Sequence, residues 1–368
     1  MKNHQNHLFR ISAMDQYMDI AKLERYKDYY NKKTILVTGG VGAIGSNLVI
    51  ALSRLVGETG RIIVLDNLTA TKTSSTWNLT PLANLMFVKG DIRSEIDLKR
   101  VFSEKIDIVF HLAAFFANQN SVDYPQVSAE VDVIGHIKLL EYSNLCKVKR
   151  FVYASSGCAI YGSYPKLPVE EDFISMHLTT PYQINKMVGE MYNNYFMHHF
   201  NLPIVNCRFF NSYGPGEIPG QYRNVIPNFL YWAMKGEPLP ITGDGEETRD
   251  FTNVFDLVQG LVKAGSENRA IGENFNLSAG REIKIKDMAA LVNQAADNID
   301  NLSFKPRRTW DTKKRMLAST KKAERLIGYK PIVKFEEGFK QNVEWFKLNW
   351  DEIEKDADFK PGMSSAVR

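Results

Sequence analysis

Tyr182 and Lys186 stand four positions apart in TPYQINKMVGE, so on a helix both side chains leave from one face. A phenol titrates near 10. An ammonium and a second positive group beside it favour the phenolate, and a drop of about three units takes roughly 4 kcal/mol of differential stabilisation. Such a phenolate is a general base, able to take the proton of an alcohol while hydride leaves the carbon beneath it. Ser155 and Ser156, at the end of the aliphatic run that starts at Arg150, offer hydroxyls to the same relay. An exposed Tyr–Lys pair is common on helices, so the spacing gains weight only from what precedes it.

What precedes it is TILVTGGVGAIGSNLVIALSRLVGETGRIIVLD, Thr34 to Asp66. This reads as strand, glycine turn, helix, strand. Gly39 allows the turn, Gly42 lets main chain approach a pyrophosphate, and Gly45 lets the helix lie against the strand. The helix N-terminus, with Ala43 and Ile44, offers free N–H groups to the phosphates. Asp66 and Asn67 close the second strand about 20 residues on, where a carboxylate accepts the hydroxyls of an adenosine ribose. A 2′-phosphate would meet a like charge there, which favours NAD over NADP.

Alternating elements extend the pattern. Leu85 to Val88 reads as a strand, followed by Gly90-Asp91-Ile92. Asp91 and Ile92 there either hold an adenine or, for Asp91, cap a helix. Ile106 to Leu112 reads as a strand buried on both faces, and Ala113 and Ala114 after it are small enough for backbone to pass a cofactor. A helix is expected from about Tyr124 to Cys146, a strand from Arg150 to Ser155, a helix from Pro181 to Phe200 and a strand from Ile204 to Phe209. The fold class is α/β: a Rossmann doubly wound parallel sheet with the ligand at its carboxyl ends, joined to a smaller α/β domain.

Proline and glycine cluster beyond Phe210, where the second domain begins. The expected division is an extension (1–33), a dinucleotide domain (34–210 and about 248–265), a substrate domain (211–247 and about 266–350) and a tail (351–368). The helical patch Met14 to Tyr30 either docks, on its own domain or a partner subunit, or is a frayed appendage; no chemistry is assigned to it.

A net charge of +4 over 368 residues gives no indication of a nucleic-acid partner. Cys146, Cys158 and Cys207 are odd in number and lack zinc spacing, which fits free thiols in a reducing compartment and no metal. No apolar run reaches the ~18 residues of a membrane span and no signal-peptide core is present, so a cytoplasmic protein is expected.

Together, TGGVGAIG (38–45), Asp66, GDI (90–92), HLAA (111–114), YxxxK (182–186), RFFNSYGPG (208–216) and RDF (249–251) resemble the extended short-chain dehydrogenase/reductase family, in particular its nucleotide-sugar epimerases and dehydratases. The resemblance implies Tyr182 as catalytic base and Lys186 as its cofactor-binding partner. It places Leu112, Ala113, Ala114 and Ser155 against the cofactor. It also implies that Asn211, Asn224, Arg249 and Arg308 hold a nucleotide diphosphate, UDP foremost, that Asp311 touches its ribose, and that the chain forms a homodimer through the helices near 124–146 and 181–200.

Departures from the family pattern matter as much. The usual catalytic Ser or Thr falls on Gly157, leaving Ser156 or Cys158 to supply the second group of the relay, or the relay lacking it. Cys158 is otherwise a small buried filler. A Gly–Cys pair here resembles a branch of bacterial O-antigen epimerase/dehydratases for acetamido sugars. Asp132 stands where relatives carry Asn. The family's 4,6-dehydratases carry Asp-Glu where this chain has Cys158-Ala159, which points toward epimerisation. Arg315 aligns with the position that gates the sugar's 2-substituent, an expectation set against an exposed basic run that includes Lys313 and Lys314.

Overall fold

Seven parallel strands form the central sheet of the computed structural model, which describes residues 2–17, 23–70, 72–162, 166–308, 310–357 and 359. They are β1 (Thr34–Thr38), β2 (Arg61–Asp66), β3 (Leu85–Lys89), β4 (Ile108–His111), β5 (Arg150–Ser156), β6 (Ile204–Phe209) and a last strand, Asn274–Leu277. Their spatial order is β3, β2, β1, β4, β5, β6, Asn274–Leu277. The last strand lies beyond residue 265, where the sequence placed the end of the dinucleotide domain; it pairs with β6 from Asn274 opposite Asn206 to Leu277 opposite Phe209. Chain order reverses between β1 and β4, and the crevice at their carboxyl ends is where a doubly wound sheet takes its ligand.

Aliphatic strands buried on both faces require two helical layers. On one face the helices Ala43–Leu55 and Val254–Ser266 pack through Leu48, Leu52, Leu257 and Leu261. On the other, Glu95–Phe102, His136–Leu145 and Pro181–Phe200 contribute Leu98, Leu139 and Phe196. Thr180 caps the last of these by accepting from Gln183 N at 3.4 Å, and Asn201, left-handed at φ 55°, ends it. The helix expected over 124–146 is instead built in segments, Asn118–Asp123, Pro125–Ala129 and His136–Leu145, with a π-helical turn at Glu130–Gly135 between the last two. That wider turn contains Asp132, which is buried; such insertions favour functional sites.

A second core gathers Trp232, Leu239, Ile241, Met288, Val292, Trp345 and Phe346 around the helices Val225–Met234, Ile285–Ala295 and Phe335–Leu348. Leu239–Thr242 and Leu302–Lys305 pair in parallel beside them.

The N-terminal extension forms helices Lys2–Tyr17 and Lys27–Tyr30, the first starting well before Met14; positions 18–22 of the expected helical patch lie outside the described residues. It docks on its own chain across both cores. Ala13 and Met14 join the sheet core, and Asn6 Oδ1 accepts from Trp345 Nε1 at 2.8 Å. Among the described residues no helix is long and apolar enough to cross a membrane.

Candidate active site

The glycine turn closes tightly. Gly39 adopts φ 69°, and a Cβ there would stand 2.7 Å from Ala113 N; one on Gly45 would stand 2.3 Å from Gly39 O. A side chain at either position would fill the space that brings β1, its helix and the end of β4 together. Asp66 accepts from Val41 N at 3.0 Å and Leu68 N at 2.9 Å, and burial raises its carboxyl pKa.

A cavity of about 410 Å³ opens over this turn. Its walls include Gly39, Gly42, Ala43, Ile44, Gly45, Asp66, Asn67, Asp91, Ile92, Leu112, Ala113, Ala114 and Ser155, and at its far end Ser156, Cys158, Tyr182 and Lys186. The capping alternative for Asp91 fails. Ser94 caps the helix Glu95–Phe102, while Asp91 takes Arg93 N at 2.8 Å, Arg93 Nη2 at 2.9 Å and Asn67 Nδ2 at 3.0 Å. Burial opposes ionisation of Asp91, yet these bonds hold its carboxyl at about 2. Ser155 lines the cavity with its hydroxyl turned away, donating to Glu190 Oε1 at 2.5 Å; Glu190 in turn forms a buried pair with Arg208 at 2.7 Å.

At the reaction end Ser156 and Tyr182 line the cavity together, and Ser156 favours the phenolate. Gly157 cannot carry the hydroxyl, because a Cβ on it would lie 2.2 Å from the Phe210 ring. Lys186 donates to Ala154 O at 2.9 Å, with Nζ 5.7 Å from the centre of the Tyr182 ring. Burial raises the Tyr182 phenol well above its usual value, the negative charge of Asp132 adds to the rise, and Ser156 opposes it. The expected depression is therefore absent from the protein alone. Asp132 accepts from Phe115 N at 2.8 Å and Ser128 Oγ at 3.1 Å. Burial lifts its carboxyl to about 6 and lowers Lys186, so for both groups desolvation outweighs their mutual attraction.

Cys158 is closed into its surroundings. Its thiol donates to Asn211 Oδ1 and accepts from Asn211 N, both at 3.2 Å, with Met316 Sδ at 3.2 Å. Burial pushes it up to about 11, so it stands as a protonated thiol at neutral pH.

A second cavity, about 190 Å³, shares Phe116, Cys158, Asn211 and Asn224 with the first. Phe229, Trp232 and Pro240 wall one side; Arg249, Arg307, Arg308 and Asp311 line another. Arg249 Nη2 donates to both oxygens of Asp311, at 3.1 and 3.0 Å, and Arg308 reaches the same carboxylate at 3.5 Å. Asn224 donates to Glu217 Oε1 at 2.6 Å. Arg315 lines neither cavity: it is exposed and paired with Glu282, its Nε 3.0 Å from Oε1. Lys313, two residues before Arg315, lines the cavity instead; it donates to Cys158 O, and burial lowers it to about 8. In the sequence Lys313 looked like part of an exposed basic run; neither it nor Arg307 carries a motif. Among the described residues no cluster of His, Cys, Asp or Glu is arranged to hold a metal.

The family model for the NAD dependent epimerase/dehydratase family matches residues 35–278. The chain belongs to this epimerase/dehydratase family. It is 33% identical over 313 residues to the UDP-glucose 4-epimerase of Mycolicibacterium smegmatis, covering 85% of this chain and 98% of that protein. It superposes on epimerase Mth375 of Methanothermobacter thermautotrophicus with TM-score 0.88 and 50% identity, covering 92% and 98% of the two chains. It also matches WbmF of Bordetella bronchiseptica, solved with NAD+ and UDP, with TM-score 0.76 and 32% identity over 89% and 96%. This epimerase/dehydratase is thus an NAD-dependent enzyme. Its cradle fits the cofactor: Gly39, Gly42 and Gly45 present bare main chain to the cavity, and Asp66 stands at the cavity wall beside them.

Proposed function

We propose that the enzyme is a nucleotide-sugar 4-epimerase working through a 4-keto sugar, with a UDP-hexose as substrate. The observation that carries this reading is the grouping of Ser156, Tyr182 and Lys186 at the end of a dinucleotide-sized cavity that runs into an arginine-lined one. When bound, NAD supplies a hydride acceptor and returns the hydride. Tyr182 takes the proton of the 4-hydroxyl, through Ser156 or directly, and gives it back. Lys186 holds positive charge beside the phenolate. Arg249 and Arg308 pair with the diphosphate, and Phe229 and Trp232 offer flat walls for the base. Between the two hydride steps the ketone turns its other face to the same groups. Cys158-Ala159 stands where a dehydratase needs its carboxyl pair, which is why epimerisation leads over 4,6-dehydration, decarboxylation or 4-keto reduction.

Exposed Ile134, Ile184, Met191 and Tyr195 on the helical segments near 124–146 and 181–200 support a homodimer, which light scattering would read. The decisive assay incubates purified protein with UDP-glucose, UDP-N-acetylglucosamine and UDP-glucuronate without added cofactor and follows the anomeric proton signals. The expected result is interconversion of one 4-epimer pair, lost about 10²–10⁴-fold in Tyr182→Phe while bound NAD is retained. A 4-keto-6-deoxy product, or turnover indifferent to Tyr182, overturns the proposal.

A further inference from the structure

Arg10, in the N-terminal helix that lies ahead of the family match, is fully buried and holds only neutral partners. Its Nε donates to Asn47 Oδ1 at 3.2 Å, Nη1 to Asn78 O at 2.7 Å and Asn78 Oδ1 at 3.2 Å, and Nη2 to Ser46 Oγ at 2.7 Å. Among the described residues no carboxylate pairs with it. A buried guanidinium without an anion is costly, because desolvation of the charge is not offset by attraction to an opposite one. Its own pKa falls to about 9 from burial alone.

The location of this cation supplies the missing partner. Ser46 and Asn47 sit one turn into the helix that starts at the glycine turn, and a Cβ on Gly216 would lie 3.2 Å from Arg10 Nη2. Gly216, Ala43 and Asn78 are walls of the dinucleotide cavity, so the guanidinium stands directly behind that wall at its phosphate end. The residues it grips also cover the carbonyls that would repel an anion. Asn47 Nδ2 donates to Ala43 O at 2.8 Å and Pro215 O at 2.7 Å; Asn78 Nδ2 donates to Val41 O at 3.1 Å and Gly216 O at 2.8 Å.

We infer that Arg10 is a cofactor-positioning residue: the N-terminal helix delivers a buried positive charge behind the glycine turn, and the diphosphate of the dinucleotide is the anion that neutralises it. The helix that carries Arg10 also reaches the second core through Asn6 and Trp345, so its docking and dinucleotide retention are linked.

The test separates charge from packing. Holoenzyme is exchanged against isotope-labelled NAD, followed by mass spectrometry, and ADP and adenosine are compared as competitors for the same site. Arg10→Gln should exchange NAD about tenfold faster and lose about tenfold in ADP affinity, with adenosine unchanged. Arg10→Lys, which keeps the charge, should restore most of the ADP affinity. Should the Gln variant not fold, Ser46→Ala, which removes the Nη2 anchor, together with Arg10→Lys reads the same ADP-to-adenosine ratio. Here Ser46→Ala should lower ADP affinity and spare adenosine. Equal losses for ADP and adenosine, wild-type exchange in the Gln variant, an unmoved ratio in Ser46→Ala or failure of Lys to rescue would overturn the inference.

Discussion

Asp132→Asn should stabilise this protein, and more so as pH rises. The carboxyl is buried in a π-helical turn with two hydrogen-bond donors and a lysine for company, and its pKa rises from 3.8 to about 6. An acid raised in the folded state supports the fold while protonated. That support is complete below the unfolded value and is lost as pH climbs through about 6. Two units correspond to about 3 kcal/mol, which for a chain of this length is about 4 °C in Tm. Asparagine imitates the protonated form: its Oδ1 can still accept from Phe115 N, and its Nδ2 can donate to Ser128 Oγ. Asp250, Asp256 and Glu217, each raised to about 7 by burial, stay in both proteins and cancel. Thermal melts of the two proteins should therefore differ by about 4 °C at pH 8 and by about half that at pH 5. A difference independent of pH, or a less stable variant at pH 8, would refute the assignment of Asp132 as an ionised, poorly solvated group.

Three further substitutions probe the site. Gly157→Ser restores the family's hydroxyl but drives Cβ into Phe210; a loss of about 1–3 kcal/mol in denaturant melts is expected, with no gain in turnover. Cys158→Ala removes a thiol that is protonated at neutral pH, so turnover should stay within about tenfold of wild type, and a loss near the 10²–10⁴-fold typical of a missing acid or base would make the thiol a participant. Arg315→Ala breaks an exposed pair with Glu282; stability should move by no more than about 1 kcal/mol, and relative rates across a UDP-sugar panel should not change. An altered sugar preference would return Arg315 to the pocket.

The sheet was legible because its strands are aliphatic runs bounded by glycine and alanine, and period and boundary survive in one dimension. The helix Pro181–Phe200 was legible for the same reason, with Thr180 and Pro181 marking its start. Asn274–Leu277 escaped notice: four residues of mixed character after a helix carry too short a pattern to separate a sheet edge from the second domain. Regular alternation would put Lys313 and Arg315, two residues apart, on one side; the chain bends at Lys314 between them, which sends Lys313 to the cavity and Arg315 to Glu282, and spacing to Arg308 and Asp311 does not reveal that bend. Arg10 carries no motif at all. Its meaning comes from Asn47 and Asn78, 37 and 68 residues away.

Tyr182 shows that a motif can bring a group to the cavity and leave its proton affinity undetermined. Burial raises the phenol, and the negative charge of Asp132 raises it further. Lys186 spends one donor on Ala154 O and is itself lowered by burial. Left to these neighbours the phenol keeps its proton and is an acid. It becomes a base only when a further positive charge enters the dry end of the cavity, which oxidised NAD brings and its reduced form lacks. On the proposed reading Tyr182 would then give up its proton readily while the cofactor is oxidised, accept the substrate's proton in that state, and hold that proton tightly once the charge is gone. On the proposed 4-epimerase reading, this would tie proton and hydride transfer to one another in both directions. Asp132, by adding negative charge at this end, sharpens the dependence: it makes the phenolate harder to form without NAD and leaves the protein's own cation, Lys186, insufficient on its own.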